Sequence, residues 1–351
     1  MQKREEGPTR PTSTSTPGRW LRIRNGGPPR HGGGRKLSAA RRSSITRTPH
    51  KSTMASTSAP WQWPVPRPLQ QLFDSFPLVT YAATELPARS QPATSDSVPT
   101  LYVFASEADA RLGAPSFNPG CLKWQTFLRL AGVTFRILPS TNHASPTGAL
   151  PFLLPARPNT TPIPATKLHT YALQHGTCPP SEPSTLRLDA YHSLLDLPLR
   201  NAWLHALYLN PAHTSLLDTF YTAPASSSPW IRDALRLQLR RAAEAEILKT
   251  GSYLSAAAAG TAVVDGKQVY EGAREALEAL AALLAESETG WFFGAQRPTL
   301  FDAGVFAFTY LMVRYMDGEG GLGGMVKGAG DGELEGHRRR VLEAARWGGE
   351  K

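Results

Sequence analysis

The stretch "NHASPTGALPFLLPA", residues 142–156, places a proline at the start of a short apolar run. Proline has no backbone N–H, so a sheet tolerates it at the first residue of a strand but not in the middle of a central strand. We therefore expect a polar turn over residues 145–148 and a strand that Pro151 opens. A cis Leu150–Pro151 peptide bond would form the tight turn. This pattern predicts that Pro151 shapes the backbone and has no catalytic role.

The residues before this stretch read as a strand, a helix and a second strand. "TLYVF" (100–104) is β-branched and aromatic, as buried strands are. In "FNPGCLKWQTFLRLAGVTFRIL" (117–138), Asn118 suits an N-cap, Pro119 the first helical position and Gly132 the stop. The second strand is expected at 133–138, parallel to the first. The apolar residues at helical spacing are Cys121, Trp124, Phe127, Leu128 and Ala131.

From about residue 182 the pattern is helical. The first stretch, 182–210, predicts one long helix or two that are interrupted near Pro198. The next, 230–251, repeats apolar residues along one side and stops at Gly251. A third helix is expected over 270–287. The apolar side of the second stretch consists of Ile231, Leu235, Leu239 and Ala242.

A further core helix is expected to begin in "RPTLFDAGVFAFTYLMVRY" (297–315). Thr299 and Asp302 have capping-box spacing, in which the hydroxyl accepts from the Asp302 amide and the carboxylate accepts from the Thr299 amide. A Gly-rich linker is predicted at 317–332, followed by a terminal helix at 333–351.

The formal charge of +10 is concentrated at the amino terminus. Residues 1–53 hold 13 Lys or Arg and 2 Asp or Glu, against 25 and 26 in the rest of the chain. The folded part is therefore close to neutral, which argues against a nucleic-acid groove on it. The first 53 residues also contain 6 Pro and 7 Gly, so 1–59 is expected to be a disordered basic arm. It is either an extension upstream of Met54, a true flexible arm, or a cleaved presequence.

Residues 60–99 form a Pro-rich and aromatic segment and a loop. Exposed aromatic side chains are unfavourable, so this segment is expected to cover the domain itself or a partner. Its aromatic residues are Trp61, Trp63, Phe73 and Phe76. The longest apolar run, 303–313, has eleven residues, fewer than the roughly 18 to 20 that span a bilayer. Membrane association is therefore expected to be peripheral.

Few side chains have the spacing of a metal-binding site, a disulfide framework or a charged binding surface. The nine histidines show no zinc-site spacing, and two cysteines do not require a disulfide framework. Arg232, Arg236 and Arg240 form a row that is expected to be a solvated face, with Glu244 compensating Arg240. Contact of this row with anionic lipid or an acidic partner is the alternative.

The order of these elements resembles the glutathione-transferase fold. The resemblance implies an α/β, thioredoxin-like domain at 100–178 and an all-α domain at 182–316. In that fold, a cis-proline in a Leu-Pro pair faces the ligand site and an S/T-x-x-D capping box lies in the helical domain. Pro151 and the Thr299/Asp302 pair occupy these places.

An active transferase would have a Tyr, Ser or Cys near the end of the first strand. The nominal residues here are Ser106, Ser116 and Cys121. The acidic-Ser pair that holds glutathione in the family is replaced by Pro164-Ala165-Thr166 (164–166), and Asn118 stands where a C-x-x-C motif ending at Cys121 needs its first cysteine. We therefore expect no enzyme activity, and no catalytic, cofactor or metal site.

A closer resemblance is to metaxin-like proteins, the peripheral subunits of the mitochondrial outer-membrane sorting and assembly machinery, of the fungal receptor type. It covers roughly 60–347 and is carried by "LQQLFDSFPLVTY", "FNPGCLKWQTFLRLAG", "NHASPTGALPFLLPA", "WFFGAQRPTLFDAGVFAF" and "HRRRVLEAARW". It implies a non-catalytic subunit on the cytosolic face of the mitochondrial outer membrane, which binds the precursor β-signal.

The implied partners are the membrane-embedded β-barrel subunit, a second metaxin-like subunit and β-barrel precursor proteins, with no nucleic acid. Two other functions stay open on the sequence. One is a glutathione-dependent transferase of the cytosol, and the other is a nucleic-acid-binding protein that uses its basic arm.

Overall fold

A computed structural model describes part of the chain, all of it within one of the two units into which the chain divides. The predicted arm, the aromatic segment up to residue 97 and residues 348–351 lie outside the described residues. The described residues are 98–156, 161–178, 186–250, 254–255, 263–318 and 320–347.

The first half is a four-stranded mixed sheet with three helices. The strand order is β2-β1-β3-β4; β1 and β2 are parallel, whereas β3 is antiparallel to both β1 and β4. The elements are β1 (Thr100–Val103), α1 (Glu107–Leu112), α2 (Pro119–Leu130), β2 (Arg136–Pro139), β3 (Phe152–Leu154), β4 (Ile163–Pro164) and α3 (Ala165–His175).

The predicted strand, helix and strand are present with small shifts. Asn118 caps α2, its Oδ1 accepting from the Cys121 N–H at 3.2 Å, and the chain leaves the helix through Gly132 at φ +72°. Strand β2 begins at Arg136, three residues later than expected. Helix α1 was not anticipated; Ser106 caps its N-terminus and Gly113 its C-terminus.

The Leu150–Pro151 peptide bond is cis, and Pro151 directly precedes β3. Strand β3 pairs with β1, where the Phe152 ring stacks on Tyr102 at a centroid distance of 4.5 Å. The proline therefore stands outside the ladder, where its missing N–H costs no strand hydrogen bond.

The second half is helical. Its helices are α4 (Leu186–Leu194), α5 (Arg200–Leu204), α6 (Thr214–Leu217), α7 (Pro229–Leu248), α8 (Gly266–Ala285), α9 (Leu300–Tyr315), α10 (Leu322–Gly328) and α11 (Glu333–Ala344), and β5 (Leu254–Ser255) pairs with β6 (Val263–Val264) between α7 and α8.

The helix does not break at Pro198. A π-helical turn, Leu195–Leu199, joins α4 to α5 and contains the proline. The wider turn changes the hydrogen-bonding pattern at the place where the proline has no N–H to donate, so the chain continues in the same direction.

The linker expected at 317–332 is instead largely helical. It contains α10 and a 3-10 turn, Ala329–Gly332, and Leu322 and Val326 of α10 are buried. Because these two side chains are one turn apart, they lie on one face and can pack in the core. Glycine spacing alone did not reveal this face.

Helix α7 departs from the expected orientation at its first turn, whereas Leu239 of the expected apolar side packs on the core. Ala243 and Ile247 are buried, while Ile231 is exposed. The arginine row is not a solvated face with Glu244 as its counter-charge. Arg232 Nε donates to the Ser226 carbonyl at 2.6 Å, Arg236 pairs with Asp218 at 3.3 Å, and Arg240 donates to the Leu209 carbonyl at 3.2 Å.

Helix α9 lies at the centre of the molecule, and every residue from Phe301 to Met312 is buried. Its Ala303 belongs to the core of the first half, and a side chain at Gly304 would meet Leu195 and Lys123. Small residues here let α2 approach closely. None of the described helices is both long enough and apolar enough to cross a membrane.

Candidate functional site

The place where a transferase would activate glutathione lies between the end of β1 and the start of α2. Asn118, which caps α2 with its Oδ1, uses its other side-chain atom, Nδ2, to donate to Tyr221 Oη at 3.2 Å. Tyr221 belongs to a π-helical turn, Asp218–Thr222, in the helical half. The N-terminus of α2 therefore contacts the second half directly.

Aromatic rings fill the space around this contact. Phe117 stacks on Phe220 at a centroid distance of 4.3 Å and meets Tyr221 edge-on at 5.5 Å. Phe104, at the end of β1, also meets Tyr221 edge-on at 5.5 Å. We call these four residues the aromatic plug. It occupies the junction of the two halves with ring contacts of favourable geometry.

Ser106 and Ser116, two of the residues considered for activating glutathione, each donate their hydroxyl hydrogen to another group of the chain. Ser106 Oγ donates to Asp109 Oδ2 at 2.6 Å and accepts from the Asp109 N–H as the cap of α1. Ser116 is fully buried, and its Oγ donates to the Phe104 carbonyl at 2.5 Å. Neither hydroxyl hydrogen is available to stabilise a thiolate without first losing this bond.

Cys121 is fully buried, and burial raises the pKa of its thiol to about 12, although hydrogen bonds from Phe104 and Ser116 act in the opposite direction. Reactive cysteines have the opposite environment, partly exposed and with a lowered pKa. Since the folded-state pKa lies above the ordinary value, ionisation opposes folding, and this term removes stability as the pH rises from about 9 towards 12. Burial likewise raises the pKa of Tyr221 to about 12.

The backbone beside Pro151 is also satisfied internally. The Leu150 N–H donates to Asn142 Oδ1 at 3.0 Å, and Leu150 is buried. Asn142 begins a short 3-10 turn, Asn142–Ala144, in the loop before β3. The donor next to the cis-proline is therefore already paired with a side chain of the same loop.

Thr299 and Asp302 form the capping box of α9. Asp302 Oδ2 accepts from the Thr299 N–H at 2.8 Å and from its hydroxyl at 2.7 Å, and Thr299 Oγ1 accepts from the Asp302 N–H. The other oxygen, Oδ1, accepts from the Phe292 N–H at 3.2 Å and faces His337 Nε2 at 2.9 Å. Both Asp302 and His337 are fully buried. The box thus joins α9 to the terminal helix α11.

Sequence reasoning missed several residues of this region: Asn142, Phe220, Tyr221 and His337. Tyr221 meets Asn118 over a separation of 103 residues, and His337 meets Asp302 over 35. No local spacing signals such pairs. Among the described residues, no group of three or more His, Cys, Asp or Glu side chains could hold a metal ion.

Two family models match the chain. The model of the glutathione S-transferase N-terminal domain matches residues 119–213, and that of the glutathione S-transferase C-terminal domain matches residues 273–320. These matches fall on a small mixed sheet followed by helices, in the order that the sequence predicted. The chain has a glutathione S-transferase fold. The predicted fold class is confirmed.

Solved glutathione transferases are similar at low identity. One from Phanerochaete chrysosporium is 12% identical with a TM-score of 0.46, and covers 73% of this chain and 100% of its own. One from Ceriporiopsis subvermispora, solved in complex with glutathione, is 13% identical with a TM-score of 0.43, and covers 72% of this chain and 100% of its own. Comparison with curated proteins finds no match.

In this glutathione S-transferase fold, residues 164–166 lie where β4 ends and α3 begins. Pro164 takes the N-cap position, where its side chain offers no capping hydrogen bond, and the first turn of α3 has no acidic residue. A helix N-terminus binds anions through free N–H groups. Pro164, Ala165 and Thr166 therefore stand where the resemblance implies the acidic-Ser pair that holds glutathione, and this stretch has no acid.

The two cysteines are expected to differ sharply in reactivity. With a pKa of about 12, only about one in ten thousand Cys121 thiols is ionised at pH 8, whereas Cys178 is exposed. We expect titration with a thiol-specific disulfide reagent to detect one thiol in the folded chain and two after unfolding. Cys178→Ser should abolish the fast reaction. Rapid modification of two thiols in the folded chain would contradict the burial of Cys121.

Proposed function

We propose that this chain is a non-catalytic, peripheral subunit of the sorting and assembly machinery of the mitochondrial outer membrane. In this role it uses a transferase fold as a docking module, on the cytosolic face of the membrane. Its partners are the membrane-embedded β-barrel subunit, a second metaxin-like subunit and β-barrel precursors.

The observation that carries the proposal is the closed junction between β1 and α2. A transferase needs a hydroxyl or thiol that faces glutathione and stabilises its thiolate. Here Ser116 and Cys121 are buried, Ser116 donates to the carbonyl of Phe104, and Phe104 packs against Tyr221 in the aromatic plug. The fold is kept while its reactive groups are turned to internal contacts, which favours binding of partners over turnover.

The placement of the metaxin-like sequence blocks supports the choice of machinery. The block at 117–132 forms α2, the block at 291–308 opens α9, and the block at 337–347 lies in and after α11. They meet in space: His337 contacts Asp302 at 2.9 Å, and the Arg129 guanidinium lies 5.1 Å from the Trp347 ring centre. The resemblance therefore rests on one connected part of the structure.

The edges of the sheet offer few free main-chain groups to a precursor strand. The edge strands are β2, with four residues ending in Pro139, and β4, with two residues ending in Pro164. Strand addition draws its affinity from main-chain hydrogen bonds, which such short edges supply sparingly. The proposed precursor-binding surfaces are the cleft near Pro151 and the aromatic segment at 60–81, which lies outside the described residues.

Native co-purification tests the role directly. The tagged full-length chain, isolated from mitochondria in mild detergent, is expected to bring the membrane β-barrel subunit with it in stoichiometric amount. As a control, the same chain carrying Arg297→Glu, an exposed surface change, should co-purify equally well. Recovery of the chain from the cytosolic fraction without a β-barrel protein would overturn the proposal.

Assays of glutathione binding and conjugation test the transferase alternative. We expect the purified chain to pass through immobilised glutathione and to conjugate glutathione to an electrophile no faster than its heat-denatured control, because Ser106 and Ser116 donate internally. Conjugation that Ser116→Ala or Cys121→Ala abolishes, in a variant that still folds, would establish catalysis instead.

A further inference from the structure

The outward face of α7 exposes large apolar side chains among polar ones. Trp230 is 84% exposed, Leu237 50% and Ile231 44%. Trp230, Ala234 and Leu237 follow one another at helical spacings of four and three, so they line one side of the helix, and Arg241 continues that side. We call Trp230, Ile231, Ala234, Leu237 and Arg241 the outer face of α7. A large exposed apolar patch on a folded domain marks an interaction site.

Two half-buried arginines of the same helix are held by partners in the chain. Arg232 donates to the Ser226 carbonyl, and Arg236 pairs with both Asp218 and Asp233. These contacts fix the orientation of α7, because turning the outer face inward would require both arginines to leave their acceptors. The outer face is therefore held towards solvent.

A cavity of about 280 Å³ opens next to this face. Its apolar walls are Leu207, Tyr208, Leu217 and Leu237, and its polar lining consists of Thr214, Asp233, Arg236 and Arg240. Pockets that bury drug-sized molecules run from about 300 to 1,000 Å³. The cavity is thus of a size for one large side chain rather than for a substrate.

Two arginines beside the cavity lack acidic partners. Arg240 is exposed and donates to the Leu209 carbonyl, and Arg241 is exposed; within the described part of the chain, neither forms an ion pair with a carboxylate. Asp233, the nearby acid, is held by Arg236. Because Arg236 offsets Asp233, Arg240 and Arg241 leave the surface beside the cavity with a net positive charge.

We infer that the outer face of α7 and its cavity bind an acidic, amphipathic segment of a second protein. One large apolar side chain of that segment fills the cavity beside Leu237, and its carboxylates pair with Arg240 and Arg241. Trp and Arg are the residues that dominate binding energy at protein interfaces. The distance from Trp230 to Arg241 is about 17 Å along the helix axis. This inference holds whether or not the chain serves β-barrel assembly.

Site-specific photocrosslinking finds and tests the partner. A photoreactive amino acid replaces Trp230 or Leu237 in the full-length chain, and irradiated cell extract is analysed by mass spectrometry to locate the crosslinked residue. We expect a segment of another protein in which a large apolar residue lies within one helical turn of Asp or Glu. That segment is then synthesised, and its Kd for the purified chain is measured by fluorescence anisotropy.

Charge reversal supplies the decisive comparison. Arg240→Glu combined with Arg241→Glu should raise the Kd at least tenfold, and replacing the carboxylates of the segment by lysine should restore binding to this variant. Arg297→Glu is the matched control, since Arg297 is exposed and, among the described residues, has no carboxylate partner. It should leave the Kd within twofold.

Other outcomes overturn the inference. They are a crosslink to this chain itself, a crosslink to lipid, a segment without carboxylates, or a Kd that the double reversal leaves unchanged. The inference also fails if neither position crosslinks while the same amino acid at Phe220 crosslinks to the facing Phe117.

Discussion

Replacing Asp302 with alanine is expected to lower the free energy of unfolding by about 3 to 5 kcal/mol, the cost of removing one partner of a buried pair. The carboxylate accepts from the Thr299 N–H and hydroxyl, from the Phe292 N–H and, through its other oxygen, faces His337 Nε2. Thr299, Phe292 and His337 are fully buried, so loss of the carboxylate leaves their polar groups without this partner. Urea unfolding followed by circular dichroism measures the change.

Asp317→Ala is the matched control for this measurement. Asp317 pairs with Lys327, but both side chains are largely exposed, and such surface pairs contribute about 0 to 1 kcal/mol. The control therefore removes a carboxylate of the same size without the burial. A similar loss of stability in both variants would show that burial of the Asp302 cluster is not what stabilises the start of α9.

Replacing Gly176 with alanine is expected to cost about 3 kcal/mol, the upper part of the usual range for overpacking. A Cβ atom at this position would lie 2.4 Å from the Ala131 carbonyl oxygen and 2.6 Å from that of Ala172. Both are backbone atoms, at the ends of α2 and α3. The Ala131 carbonyl accepts from the Cys178 N–H. A backbone shift that relieves the steric overlap would therefore disturb this hydrogen bond.

Gly318→Ala tests whether space or chain flexibility decides this effect. A Cβ atom at Gly318 meets nothing within 4 Å, and neither glycine has a positive φ. The substitution reduces the freedom of the unfolded chain equally at both positions. We therefore expect Gly318→Ala to change stability by no more than about 0.5 kcal/mol in either direction. Equal effects of the two substitutions would contradict the steric argument.

Features that depend on a few neighbouring residues could be predicted from the sequence. Asn118 and Pro119 mark the start of α2, and Thr299 and Asp302 mark the start of α9, because each cap bonds to an N–H three residues away. The turn before β3 was readable because proline removes a donor at a known place. These local rules predicted an order of elements, and the fold class followed from the resemblance of that order to the glutathione-transferase fold.

The face that a helix presents was less predictable. In α7, apolar spacing placed Ile231 inside, whereas the structure exposes Ile231 and Trp230 and turns Arg232 and Arg236 inward. Leu239 of the expected side packs on the core, so the departure is confined to the start of the helix. There the exposure of Ile231 depends on acceptors such as the Ser226 carbonyl and Asp218, which lie outside the helix.

The sequence by itself determined the first strand, helix and strand, the helical half that follows, the caps that begin α2 and α9, and the presence of Pro164, Ala165 and Thr166 where the resemblance implies an acidic-Ser pair. Only the tertiary structure decided that Tyr221 closes the N-terminus of α2, that His337 joins Asp302, and that Trp230 faces outward. The physical reason is distance along the chain. Caps and turns bond to residues three or four positions away, while the junction of the two halves depends on packing between side chains that are tens to hundreds of residues apart.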